Sequence, residues 1–153
     1  MTLAYDAGYS SLRFPGGDVP HGKGVCTDVV IRACRDAFDL DLQALVNADM
    51  SRTLGAYPRR WGLVRPDPSI DHRRPPNLQT FLSRQHARLP LTAWPGGWQA
   101  GDVFTCLIGG RLPHIGLVSD RGPGRVIHNI GAGAREEPMP VAHRLTGRFR
   151  WRV

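Results

Sequence analysis

The hydrophobic pattern of this chain changes its period once, and that change constrains the fold more than any single motif. Over residues 26–50, and again over 78–85, apolar side chains recur at helical spacing; beyond Val103 they alternate at the period of a pleated strand. Helices followed by antiparallel strands define an α+β fold, a layer of helices packed on a C-terminal antiparallel sheet. A length of 153 residues suits one domain, expected to span 1–153, and 41% hydrophobic residues allow it a packed core.

Residues 1–25 read as a loop rich in Tyr, Ser, Gly and Pro. The spacing predicts a helix over 26–38, with Cys26, Val30, Ala33 and Ala37 on one face and Asp28 in the first turn. A second helix is expected over 41–50, with Leu42, Leu45, Val46 and Met50 inward, and a third over 78–85 with Asn77 as its N-cap. Residues 51–76 form a long Arg- and Pro-rich connection of the kind that carries function. Strands are expected at Val103–Ile108, His114–Ser119 and Arg125–Ile130. The closing Arg148–Val153 alternates, placing Phe149, Trp151 and Val153 inward and three Arg outward.

The formal charge is +7, and Lys23 is the single lysine among 20 basic residues. Arginine presents a planar fork suited to carboxylates and phosphates, so the balance favours polyanionic partners. No nucleic-acid-binding motif is visible, and nucleic acid is not an expected partner. No apolar run approaches the ~20 residues of a membrane span. The first ten residues lack the basic-then-apolar pattern of a secretory leader.

The three cysteines, Cys26, Cys34 and Cys106, are too few and wrongly spaced for a disulfide framework. Cys26 differs from the others in position: it follows a Gly-rich loop and opens a helix. A helix N-terminus favours thiolate, and its N–H groups suit an oxyanion, so Cys26 is the candidate nucleophile. Cys34 and Cys106 fit as core residues.

A nucleophilic cysteine needs a base, and the base an orienting partner. A hairpin closed by residues 120–124 sets Ser119 opposite Arg125 and His128 opposite Gly116. His114 and His128 then share one face as diagonal neighbours, roughly 7–8 Å apart at the backbone. A slip of one residue replaces His128 with Asn129, also a sensible orienter. A zinc site built from Cys26, His114 and His128 is disfavoured because no two ligands are closely spaced, so no metal or other cofactor is expected.

These residues also carry a resemblance. Phe14-Pro15-Gly16-Gly17 followed by Gly24-Val25-Cys26-Thr27-Asp28 resembles the nucleophile motif of the NlpC-type papain-like cysteine peptidases. Gly101-Asp102, His114-Ile115-Gly116 and Val126-Ile127-His128 resemble, in order, that superfamily's later motifs. Within it, Gly16–Pro20, Trp61–Leu63, Arg65–Asp67, Ile70–Arg74 and Asn77–Phe81 resemble a bacterial envelope family catalogued as a domain of unknown function.

The resemblance implies a papain-like fold and attack on an amide bond of peptidoglycan stem peptides. The favoured bond joins D-Glu to the diamino acid, and the muramoyl–L-Ala amide comes next. Cys26, His114 and His128 would be catalytic, with Asn129 as alternative third member. Segment 51–76 would wall the cleft, with Asp71, His72, Arg73 and Trp61 as substrate contacts. Where Phe14 stands the superfamily carries a Tyr that binds the oxyanion; Tyr5 or Tyr9 is then a candidate substitute. The expected setting is the bacterial periplasm, envelope or exterior, as a monomer. A toxin delivered into rival cells would also require an immunity partner. The rival readings are a non-catalytic peptidoglycan- or polyanion-binding module, held by the Arg face of 148–152, and an acyltransferase or thioesterase on the same scaffold.

Overall fold

The computed structural model describes residues 2–122, 124–140 and 142–152. Helix α1 (Cys26–Phe38) starts where its apolar periodicity starts. Its first turn is tied down by the Asp28 carboxylate, which accepts the Val25 N–H at 2.6 Å. It ends at Asp39, which takes the left-handed conformation with φ 54°. Helix α2 (Leu42–Thr53) is capped by Asp41, whose side chain accepts from the Gln43 N–H. Helix α3 (Pro75–Arg84) begins two residues before the position expected of its cap. Two prolines open it, where no donor is needed. Asn77 lies inside the helix, fully buried, and donates to the Asp71 carbonyl instead of capping.

Strands β1 (Ala4–Tyr5) and β2 (Lys23–Gly24) form a short parallel pair inside the segment expected to be loop. The main sheet has six strands, β3 (Arg88–Leu89), β4 (Val103–Ile108), β5 (Leu112–Val118), β6 (Arg125–Asn129), β7 (Ala134–Pro138) and β8 (Arg144–Phe149), in the order β3-β8-β4-β5-β6-β7. Every pairing in it is antiparallel. The fold is therefore α+β, as the change of period implies.

One face of the sheet receives all three helices. Val30 and Ile31 of α1, Val46 and Met50 of α2, and Leu78 and Phe81 of α3 pack with Val103, Ile115 and Phe149. Burying one such side chain stabilises the fold by about 1.5–3 kcal/mol. The opposite side of the sheet holds a smaller cluster of Phe104, Cys106, Val126 and Met139, covered by Trp94 and Trp98. Those two tryptophans anchor a loop to the sheet.

The C-terminal strand differs from its expected form. It ends at Phe149, and its pairing lies upstream, over Arg144–Phe149. Phe149 is buried and Trp151 packs edge-on against Phe81 at 5.6 Å, both inward as the alternation implies. Val153 lies outside the described residues. Arg148 is not outward: it is buried, donates to Asp102 at 3.1 Å and lies over Trp98. Arg150 also bonds Asp102, at 2.6 Å. One buried carboxylate thus engages two of the three arginines that were to form a polyanion-binding face.

Candidate active site

Two features of the sequence put Cys26 at the mouth of a groove. Gly24 has φ 153°, and a Cβ there would lie 2.9 Å from the Asp28 carboxylate, so only glycine lets the chain enter α1 this way. Tyr5 on β1 is the register partner of Gly24, which carries the tyrosine beside the helix start. Cys26 is buried, and the backbone N–H groups of Ile115, Thr27 and Cys26 itself lie near enough to its sulfur to favour the thiolate, against the larger effect of burial. Ile115 immediately follows His114, so the thiol rests against the strand position next to that histidine. Thiol and imidazole are not hydrogen-bonded to one another. Contacts of that kind often tighten only when substrate binds.

The hairpin register is the one the loop length implies: Leu117 faces Ile127 and Val118 faces Val126. His114 and His128 therefore share a face, and their Nε2 and Nδ1 atoms meet at 2.8 Å. Gly116 makes this contact possible, because a Cβ there would lie 2.8 Å from the Cβ of His128 and 2.6 Å from the Phe104 ring. Asn129 does not serve as orienter. Its side chain donates to the Gly24 carbonyl at 3.1 Å and accepts from Gly131, clamping β6 to the loop before α1.

A third group completes the chain. His128 Nε2 lies 2.7 Å from a carboxylate oxygen of Glu137 on β7. A carboxylate only accepts, so His128 is protonated at Nε2 and, when neutral, its Nδ1 is an acceptor. His114 must then donate from Nε2, which leaves its Nδ1 lone pair unprotonated, the state a base requires. Sequence reasoning missed Glu137 because Ala134–Pro138, Ala-Arg-Glu-Glu-Pro, has no apolar alternation to mark a strand.

Burial dominates the electrostatics. It pushes the Cys26 thiol up to about 11, against the lowering by backbone N–H groups, and pushes His114 down to about 3, with His128 adding to the effect. At Cys26 burial outweighs the helix N-terminus, and both shifts favour the uncharged forms, thiol and imidazole.

Segment 51–76 does wall the groove. Arg60, Trp61, Ile70, Arg73 and Arg74 line it together with Cys26 and Tyr5. Trp61 is half exposed and carries the Arg74 guanidinium 4.2 Å above its ring. The other expected contacts are not free for substrate. Arg73 borders the groove, yet it is buried and donates twice to Asp28, both at 3.0 Å. Asp71 is buried, accepts the Asp67 N–H at 2.6 Å and pairs with Arg74 at 3.1 Å. His72 is buried with Nδ1 unpartnered, and desolvation pushes its pKa down to about 4. Phe14 is exposed and lines neither the groove at Cys26 nor the cleft at His114, so the position aligned with the superfamily's Tyr is not at the site. Tyr5 is; a charge on Cys26 is near enough to raise its pKa, after the larger effect of burial. Among the described residues no group of three His, Cys, Asp or Glu side chains is placed to hold a metal ion.

A cysteine that opens a helix, set against an antiparallel sheet that carries two hydrogen-bonded histidines, defines an α+β protein with a candidate Cys–His site. The chain belongs to the family described as Domain of unknown function (DUF1287), whose pattern matches residues 1–151. It is 49% identical over 156 residues to the protein of Escherichia coli (strain K12) named Uncharacterized protein YijF, an alignment covering 99% of this chain and 76% of that one. No helix among the described residues is long and apolar enough to cross a membrane.

Proposed function

We propose that this protein is a papain-like, NlpC-type cysteine hydrolase that cleaves an amide bond in peptidoglycan stem peptides. The D-Glu–diamino acid bond is the favoured target and the muramoyl–L-Ala amide the second. The observation that carries the reading is the ordered proton path Glu137–His128–His114, on a strand whose next residue, Ile115, turns its backbone N–H to the sulfur of a cysteine at a helix N-terminus.

In the proposed reaction the Cys26 sulfur attacks the carbonyl carbon while its proton passes to His114 Nδ1. The tetrahedral oxyanion is held by the Cys26 N–H, with the Tyr5 hydroxyl as a second donor. His114 returns the proton to the departing amine as the C–N bond breaks, leaving a thioester. Water, deprotonated by His114, hydrolyses the thioester and restores the thiol. Starting from neutral groups, transfer of the thiol proton accompanies attack. The proposed setting is the bacterial envelope or exterior; delivery into rival cells would add an immunity protein as partner.

Purified peptidoglycan is incubated with the wild type and with Cys26→Ala, and the soluble fragments are weighed by mass spectrometry. Fragments released by wild type alone support the hydrolase and identify the bond. Absence of fragments from both, under reducing conditions and across pH, overturns it.

A further inference from the structure

The groove at Cys26 continues past Pro75, Pro76 and Pro113 into a second cleft of about 570 Å³ that holds His114. Arg60 lines both. Among the described residues no Asp or Glu lines either one.

The two halves differ in what their arginines are doing. On the Cys26 side Arg73 pairs with Asp28, leaving its buried Nη1 without a partner, and Arg74 pairs with Asp71, so Arg60 at the junction is the one lining arginine there without an acidic partner among the described residues. The remaining lining there is largely aromatic and aliphatic: Tyr5, Tyr9, Trp61, Ile70 and Leu112. On the His114 side Arg84 is paired with Asp49, but Arg60, Arg88 and Arg111 have no acidic partner among the described residues. All three are exposed. Unpaired guanidinium groups converging on a cleft without carboxylates favour an anionic occupant.

This inference rests on the proposed hydrolase reading. A base that protonates the leaving amine has that amine on its own side of the scissile bond. We infer that the cleft beside His114 binds the amine half of the substrate, and that Arg60 and Arg111 hold a free carboxylate on it. The acyl half then lies over the Tyr5 and Trp61 wall, where Arg73 and Arg74 already have carboxylate partners. A stem peptide whose diamino acid keeps its carboxylate fits this polarity; one whose carboxylate is amidated does not.

Binding is tested on the full-length Cys26→Ala protein, which cannot turn over. A stem tripeptide ending in a free carboxylate is compared with its C-terminal carboxamide by titration calorimetry at low and high salt. The expected result is about tenfold tighter binding of the carboxylate, about 1.4 kcal/mol, weakened by salt. In Cys26→Ala/Arg60→Ala/Arg111→Ala the advantage disappears while the carboxamide binds as before. Both positions are exposed, and unchanged circular dichroism and melting temperature establish that the triple variant is folded. Equal binding of the two peptides to the Cys26→Ala parent overturns the carboxylate clamp and leaves the hydrolase reading standing. An advantage that persists in the triple variant overturns the assignment to Arg60 and Arg111. Failure of both peptides to bind at millimolar concentration overturns the stem-peptide reading itself, and the clamp with it.

Discussion

Glu137 and His128 are joined at 2.7 Å across neighbouring strands, and that bond decides which nitrogen of His114 is free. Replacing Glu137 with Ala leaves the proton on His128 unassigned. The proposed reaction should slow by about 10- to 100-fold in kcat, less than the ~10²–10⁴-fold ascribed to the acid–base group itself, with little change in KM. Glu137→Gln keeps an acceptor oxygen and should recover most of the rate. Steady-state kinetics with Ala as active as wild type would remove Glu137 from a positioning role.

Tyr5 lines the groove at Cys26, where the proposed reaction calls for an oxyanion donor, and Phe14 does not. Tyr5→Phe should lower kcat by about 10²-fold or more, the scale for one lost oxyanion donor. Phe14→Tyr should leave the rate unchanged. A gain in rate from Phe14→Tyr would reverse the assignment.

The Cys26 thiol is pushed up to about 11 and His114 down to about 3, both chiefly by burial, so neither is charged near neutrality. Alkylation of Cys26 by iodoacetamide should be slow at pH 6 and rise about tenfold per pH unit up to pH 9, following the thiolate fraction. A rate already level between pH 5 and 7 would mean a preformed thiolate–imidazolium pair.

Arg73 is a structural residue. Arg73→Met strands the Asp28 carboxylate in the interior and should cost about 3–5 kcal/mol, read as a lower urea midpoint. Asp28→Asn in the same chain should recover part of that loss. If Arg73→Met weakens peptide binding with the urea midpoint unchanged, its place is in substrate recognition after all.

Two buried histidines make stability depend on pH. Unfolded, His72 and His114 bind protons near 6.5; folded, they do so only near 4 and 3. Below pH 6.5 the unfolded chain therefore holds more protons, and the stability present above that pH is lost as it falls. Each group contributes at most about 1.4 kcal/mol per pH unit. The urea midpoint should drop between pH 7 and pH 5, and drop less in His114→Gln. A midpoint that holds steady over that interval would mean that neither histidine is kept neutral by the fold.

Much of the site was legible before any coordinates. Cys26 at a helix start follows from a Gly-rich loop meeting helical periodicity, and α1 covers the expected residues. The shared face of His114 and His128 follows from strand pleating and a short hairpin loop, and the register agrees. Both are local relations, governed by the repeat of a helix or strand over a few residues. What tertiary structure alone decided joins residues far apart. Asp28 meets Arg73 across 45 positions, and Asn129 reaches Gly24 across 105. Tyr5 arrives through a two-residue parallel pairing, and Glu137 through an edge strand with no apolar pattern. Asp71 and Arg73 are expected as substrate contacts, yet both are buried, because Asp28 and the backbone of the Asp67 turn supply partners inside. A side chain's type shows what it can bond to; whether that partner is solvent or another segment depends on how distant parts of the chain pack, which no local period encodes.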